Sequence, residues 1–407
     1  MKPIILCSLV GAILFAGSGA ARAQVEAAHS SQTGPAPTED ARDAIIRELR
    51  ARIEQLERRV AELEGRAAPP PAPPAPPPTP TATRQPLISG VADVLLRGGD
   101  SEGTPRRGRF SLRELELAIQ DAVAPGMTVE AFLAAEQEED WDLVLEEGVL
   151  NLERFLLRRV SARLGRLRTP FGRQNVLHPH ALPTVDYPAV IRAMLGDHGL
   201  FSDGGFVTYR IPVRVGTFAS ATLGFADTAS EAEEGAGFAA TGQALAGRLF
   251  ASRDLGRERE LEVGLSHYRG RGTAFGVPGR RRLAVSGLDV TFRSYPGPGQ
   301  RWFVQSEVLR HSTDGPGGGD RWGYYLLGER RWSPYWAAGV RWDDTRFPWP
   351  SDERERAINL WITRFVNEQT AIRLQLRHGR RPGDSGFNEI LLQFLAGFGP
   401  HVHALQQ

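Results

Sequence analysis

From residue 85 onward, short segments in which apolar and polar residues alternate are separated by clusters of Gly, Pro and Asp. In the clearest case Ile372, Leu374 and Leu376 take one parity, and Arg373, Gln375 and Arg377 take the other. A period of two places these sets on opposite faces of a strand, and a face of arginines needs water beside it. Ile358, Leu360 and Ile362 oppose Asn359 and Thr363 in the same way. So do Leu288, Val290 and Phe292 against Asp289, Thr291 and Arg293, and Leu261, Val263 and Leu265 against Glu260, Glu262 and Ser266. About sixteen such segments are predicted, starting near 87, 109, 127, 143, 160, 204, 215, 242, 259, 282, 301, 321, 335, 356, 369 and 387. An even strand number suits a bacterial barrel. Trp302, Trp322, Trp332, Trp336, Trp342 and Trp361 lie near segment ends, as the aromatic rings at a lipid boundary require. The pattern predicts an all-β fold: a transmembrane antiparallel β-barrel of about 16 strands over 85–407.

The chain ahead of the barrel has a different texture. Lys2, an apolar stretch over 4–16 and Ala21-Arg22-Ala23 form a secretory signal peptide over 1–23, followed by a flexible segment over 24–39. Over 40–66 the apolar positions follow a heptad, with Ile46, Ile53 and Val60 at one core site and Leu49, Leu56 and Leu63 at the other. Arg52 and Arg59, with Glu57 and Glu64, flank that seam and can pair between helices. The pattern predicts a short coiled coil, with a trimer expected and a dimer also permitted. A Pro-rich linker over 67–84 follows. Its Pro/Ala run over 69–80 enforces an extended rod of ~37 Å at about 3.1 Å per residue.

Composition excludes several classes. Outside the leader no apolar run reaches the ~20 residues of a spanning helix, so a membrane can be crossed only by strands. The single cysteine, Cys7, lies in the leader, so the mature chain has no disulfides. A net charge of +1 gives no footprint for nucleic acid. Lys2 is the only lysine, and every other basic residue except histidine is arginine.

One interval is too long for a turn. Between Arg168 and Gly204 the chain reads TPFGRQNVLHPHALPTVDYPAVIRAMLGDHGLFSD, with Pro179, Pro183 and Pro188 excluding a regular strand and 189–195 able to form one or two helical turns. Folded into a barrel, this segment (169–203) is expected to narrow the lumen. Arginines at inward parity (Arg163, Arg293, Arg301, Arg373 and Arg377) and those in or beside the insertion (Arg168, Arg173 and Arg192) are the pore-lining candidates. Inward carboxylates such as Glu260, Glu262, Asp289, Glu307 and Glu389 are expected to pair with them, leaving weak ion selectivity. His178, His180 and His198, beside Asp186 and Asp197, could ligate a metal, and His401 and His403 form a further pair. Hydrogen-bonded loop histidines are the expectation there, with no cofactor. No nucleotide-binding glycine motif or Gly-x-Ser-x-Gly elbow is present, and adjacent Ser266 and His267 point to opposite faces of a strand, so no enzyme is expected.

The run LGRLRTPFGRQN (164–175), then LHPH, VDYP and LGDHGLFSDGG, with Leu145-Glu146-Glu147-Gly148 ahead of it, resembles the phosphate-selective porin O and P family. The resemblance is strong over about 143–212 and diffuse elsewhere. It implies a homotrimeric outer-membrane channel with an infolded constriction, surrounded by outer-membrane lipid, passing small hydrophilic or anionic solutes by passive diffusion. The chain departs from the family in lacking channel lysines, so phosphate specificity is not expected. It also ends in HVHALQQ rather than in an aromatic residue, so the last strand is expected to stop near Phe398 with a tail beyond. Two other readings are a structural tether, with a periplasmic coiled coil reaching peptidoglycan, and a channel related to divalent metals.

Overall fold

The computed structural model describes residues 48–59, 85–100, 109–137, 141–154, 157–229, 238–274, 277–348, 353–381 and 386–400. The signal peptide, the proline rod, most of the heptad region, and His401 and His403 lie outside these residues. Two units are distinct, 1–83 and 84–407. In the first, residues 48–59 form a helix, α1. Its heptad residues Leu49, Ile53 and Leu56 are 55–59% exposed and form an apolar stripe.

The second unit is a closed barrel in which each strand pairs with its sequence neighbours and the first pairs with the last. The strands are β1 (Leu87–Gly99), β2 (Arg109–Ala124), β3 (Met127–Gln137), β4 (Trp141–Leu152), β5 (Val160–Arg168), β6 (Phe201–Arg210), β7 (Thr217–Ala229) and β8 (Phe238–Asp254). They continue as β9 (Arg259–Ala274), β10 (Val277–Gly297), β11 (Gln300–Thr313), β12 (Gly319–Ser333), β13 (Trp336–Arg346), β14 (Arg354–Phe365), β15 (Thr370–Arg380) and β16 (Phe387–Phe398). Every pairing is antiparallel, and the seam joins Gly90 to Phe398 and Gly99 to Glu389. Closure satisfies the backbone of both end strands, the condition for placing a sheet in hydrocarbon.

Alternation decides which face meets lipid. Leu265, Leu288, Val304, Leu326, Val340, Leu360, Leu374 and Ile390 are 39–56% exposed on the outer wall. An apolar belt of this extent marks a barrel that spans a membrane. Trp302, Trp332, Tyr335 and Trp336 stand outward near the short turns after β10 and β12, and Trp322 and Trp342 near the opposite end. Arg330 lies over Trp302 (4.6 Å) and Arg364 over Tyr335 (4.8 Å), holding guanidinium groups at one aromatic ring. Trp361 departs from the expected girdle. It shares the parity of Asn359 and Thr363, points inward at 4% exposure, and donates from Nε1 to Glu329 (3.2 Å). β16 stops at Phe398, which faces outward.

Two slips in alternation turn additional charged residues inward. On β4, Leu133 opposes Leu145 while Phe132 opposes Glu147, so Glu146 is an extra residue. On β2, Glu114 opposes Asp93 and Leu112 opposes Val94, leaving Arg113 extra. A bulge lets two consecutive side chains share a face. Glu146 and Glu147 therefore both turn into the lumen, as do Arg113 and Glu114.

Candidate functional site: the lumen and its infolded segment

The segment between β5 and β6 enters the barrel and stays there. It contains a 3-10 turn, Pro179–Ala181, and a short helix, α2 (Ala189–Leu195). Six of the seven α2 residues are buried, all except Arg192. Val190, Ile191, Met194 and Leu195 join one apolar cluster with the inward residues Phe206, Ala240, Ala244, Tyr268, Leu283, Val285, Phe303, Leu309, Tyr325 and Leu327. A gap of about 10 Å³ between α2 and Tyr268, Val285 and His311 shows how closely this side is filled. The sequence predicts a narrowed, polar lumen; the structure shows an apolar core inside the barrel between α2 and the wall, because one arc of the wall is apolar on its inner face.

The other arc is polar and holds the segment by hydrogen bonds and ion pairs. Arg341, fully buried, pairs with Asp343 (2.9 Å) and Asp186 (3.4 Å) and donates to Thr184 Oγ1 (2.6 Å) and the Asp186 carbonyl (2.8 Å). Val185 N–H donates to Gln375 Oε1 (2.8 Å), and Arg113 donates to the Val185 carbonyl (2.6 Å) and to Asp93. Glu307 accepts the amides of Arg173 (3.0 Å) and Gln174 (2.8 Å) and the Tyr325 hydroxyl (2.9 Å). Gly172, at φ 61°, lets the chain turn against Glu307: a Cβ there would lie 2.2 Å from Glu307 Oε2.

The predicted pore-lining arginines divide into two groups. Arg168 (to Glu146, 3.2 Å), Arg173 (to Glu262, 3.7 Å), Arg192 (to Glu355, 3.1 Å) and Arg377 (to Asp186, 3.4 Å, and Glu355) surround the insertion. Arg373 joins them through neutral partners, Thr363 Oγ1, the Thr184 carbonyl and Gln393 Oε1. Arg163 reaches Glu147 (3.5 Å) and Asn151 (3.1 Å). Arg293 (to Glu262, 2.7 Å) and Arg301 (to Glu329, 2.9 Å) sit instead by the short turn between β10 and β11, toward the other mouth. Of the carboxylates expected to neutralise them, Glu260, Glu262 and Glu389 do so. Asp289 pairs with Arg248 (2.6 Å) instead, and Glu307 is taken by backbone amides. Ser266 points inward to Arg248, whereas His267 points outward to Ser286.

Charged groups of the insertion respond to this setting. Burial raises the Asp186 carboxyl, but Arg377, Arg341 and Arg192 outweigh it and hold Asp186 well below the usual carboxylate range. Burial and Arg168 oppose a charge on His178, yet Glu116, Glu146 and Glu147 raise it well above the ordinary histidine value. The Tyr187 hydroxyl is raised by burial. His178 and His180 are brought together among glutamates, with ring centroids 5.7 Å apart. His198 is not in that group; its carbonyl accepts from Arg168 (2.7 Å). Arg113, Arg248 and Arg341 are luminal arginines absent from the sequence-based candidates. For Arg341 a signal existed, since Ala337, Gly339, Arg341, Asp343 and Thr345 alternate with Trp336, Val340 and Trp342.

No protein-family model and no curated protein sequence matches the chain. Solved structures do. An anion-selective porin from Comamonas acidovorans superposes with a TM-score of 0.52 at 14% identity, over 77% of this chain and 99% of that one. The fold is that of an outer-membrane porin. A loop-deletion form of OmpT, an outer-membrane protein of Vibrio cholerae, gives 0.52 at 12% identity over 76% and 98% of the two chains. OmpF of Salmonella typhi, in complex with daunomycin, gives 0.52 at 8% identity over 77% and 98%.

Proposed function

We propose that the chain is an outer-membrane channel for passive diffusion of small hydrophilic solutes, with the insertion as its aperture. The observation that carries this reading is the packed segment 169–200 inside a closed sixteen-strand barrel with a lipid-facing belt. Water-exposed charge persists along the segment's polar margin at Arg113, Arg173, Asp186 and Arg192, each 16–25% exposed at the side chain. A path there would be narrow and lined by both signs. Because the luminal arginines named above, Arg373 excepted, have carboxylate partners, ion selectivity is weak, with at most a slight anion preference. Selectivity for anions is a property of the Comamonas porin, which this chain resembles in fold. Likeness of 143–212 to the phosphate-selective porins supports a shared insertion rather than phosphate specificity, which would want cationic groups free of carboxylates.

The exposed stripe of α1 supports a homotrimer, since three such helices would cover one another's Leu49, Ile53 and Leu56. A trimer form of the Vibrio OmpT is among the structures that resemble the barrel, at 10% identity and a TM-score of 0.51. A periplasmic tether to peptidoglycan is the second use of the segment 24–84, and cosedimentation with cell-wall sacculi would favour it. The channel reading is tested by swelling of liposomes carrying the full chain in neutral sugars of graded size. Swelling that falls steeply with solute size is expected, and impermeability to the smallest sugar would overturn the reading.

A further inference from the structure

Where the insertion leaves β5 it crosses a buried group of charges that the channel reading does not use. The two bulges bring Glu114 and Glu116 of β2 and Glu146 and Glu147 of β4 to the inner wall, none more than 5% exposed. Against them lie His178 and His180, which Pro179 separates on the insertion. His178 Nδ1 stands 2.7 Å from Glu116 Oε2 and 2.9 Å from Glu146 Oε2. His180 Nδ1 stands 3.8 Å from the same Glu116 oxygen and 3.7 Å from Glu114 Oε1. Ligand atoms of Glu114, Glu116 and His180 lie within 4.8 Å of one another, and so do those of Glu116, Glu146 and His178.

Charge balance argues for a cation. Four carboxylates are met by two guanidinium groups, Arg168 and Arg163, while Arg113 is engaged by Asp93. The shortfall of two positive charges falls to the imidazoles of His178 and His180, which stand against the same carboxylates. Glu114 Oε1 in addition accepts no hydrogen bond. One divalent ion supplies the missing charge at a single point, whereas two imidazolium rings 5.7 Å apart would repel each other. The outer groups are arranged for it too. His178 Nε2 bonds Glu147 Oε1 (3.0 Å), and Nδ1 faces Glu116 and Glu146, so exchange of the Nδ1 proton for a metal would place the ion between those carboxylates. Arg168 holds Glu146 Oε1 (3.2 Å), turning Oε2 inward.

We propose that His178, His180, Glu116 and Glu146 bind one divalent first-row transition-metal ion, of which zinc is the natural probe, stapling the root of the insertion to β2 and β4. Mixed imidazole and carboxylate donors suit such an ion. Bonds of about 2.0–2.1 Å in a tetrahedron put ligand atoms ~3.3 Å apart, so the closer pairs open by roughly half an ångström and the His180 pair closes by as much. The proposal is independent of what the barrel conducts.

The test uses the full chain refolded in detergent with micromolar zinc, then desalted. About one zinc per chain is expected, with X-ray absorption showing two imidazoles among ligands at about 2.0–2.1 Å. Glu147→Gln, which touches only the outer group, is expected to weaken binding about 10–100-fold. His180→Gln and Glu116→Gln should lose stoichiometric zinc, and His198→Gln should keep it. Wild type that folds in zinc yet carries none, or a bound zinc that both His180→Gln and Glu116→Gln retain, overturns the proposal. Should those variants fail to fold, absorption on the wild type decides alone, and a spectrum without imidazole scattering overturns it.

Discussion

Arg341→Met isolates the contact that docks the insertion on the polar arc. The guanidinium is fully buried, pairs with Asp343 and Asp186, and donates to Thr184 and to the Asp186 carbonyl. Methionine keeps much of the volume but strands Asp343, itself fully buried, with Asn359 as its remaining hydrogen-bond donor. Breaking a buried pair by removing one partner costs about 3–5 kcal/mol. At ~1.4 kcal/mol per tenfold, that corresponds to roughly two to three and a half powers of ten in the opening equilibrium of whatever the pair holds. The strand ladders do not depend on Arg341 side-chain atoms, so the loss is expected to fall on the insertion alone. Hydrogen exchange followed by peptide mass spectrometry reads this directly, because Val185 N–H is held by Gln375 and Ile191 N–H by the Pro188 carbonyl. Exchange over 184–195 should accelerate by about two to three and a half powers of ten while β10–β16 keep their protection. Adding Asp343→Asn removes the stranded charge and should restore part of the protection. Unchanged exchange of the insertion in Arg341→Met, or equal loss of protection in the strands, would refute the view that the segment is a separately docked element.

Three further perturbations test the same picture. Sixteen strands about 4.8 Å apart and tilted ~40° close a ring ~32 Å across, and inward side chains leave a bore of roughly 22 Å, of which a helix takes about 10–12 Å. The helix alone therefore blocks about a quarter of that cross-section, and deleting residues 175–199, which removes it with its flanking chain, should raise single-channel conductance by more than about 1.3-fold; an unchanged step would show that the segment does not set the aperture. Asp186 has its folded value depressed, so its contribution to docking is complete above its unfolded value of about 3.9 and disappears as pH falls through and below it. Protection of 184–195 should be flat from about pH 8 to pH 5 and drop below about pH 4, and Asp186→Asn should remove that acid dependence. Gly172→Ala, which drives a methyl group against Glu307, should cost about 1–3 kcal/mol and lower the heat-modifiability temperature on gels, whereas an unaltered temperature would mean that the turn tolerates a side chain.

The barrel is legible in the sequence because lipid on one side and water or polar side chains on the other enforce a strict period of two. In β14, β15 and β16 that period survives without a fault, and the predicted starts at 87, 109, 127, 160, 259 and 387 coincide with strand starts in the structure. Sixteen strands, the long insertion and its short helix are all readable. The filling of the lumen is not. Phe206, Tyr268, Phe303 and Tyr325 share inward parity with charged residues, and only the three-dimensional position of α2 shows which arc is apolar. Trp361 is misplaced when aromatic residues are read for their type instead of their parity. The glutamate cluster escapes for a related reason. Phe110 and Leu112 alternate in one phase and Leu115, Leu117 and Ile119 in the other, so a slip at Arg113 is present in the chain, as is one between Leu145 and Leu150. Read as bulges, those slips place Glu114, Glu116, Glu146 and Glu147 on the inner wall, where an infolded His178 can meet them.

Whether the folded barrel conducts is the most direct question. Purified full-length protein added to planar bilayers should give discrete, ohmic steps, smaller than those of the 175–199 deletion because the insertion narrows the bore, with a reversal potential near zero in a salt gradient. Insertion into the bilayer without conductance steps, in wild type and in the 175–199 deletion alike and at every salt concentration, would contradict a diffusion channel.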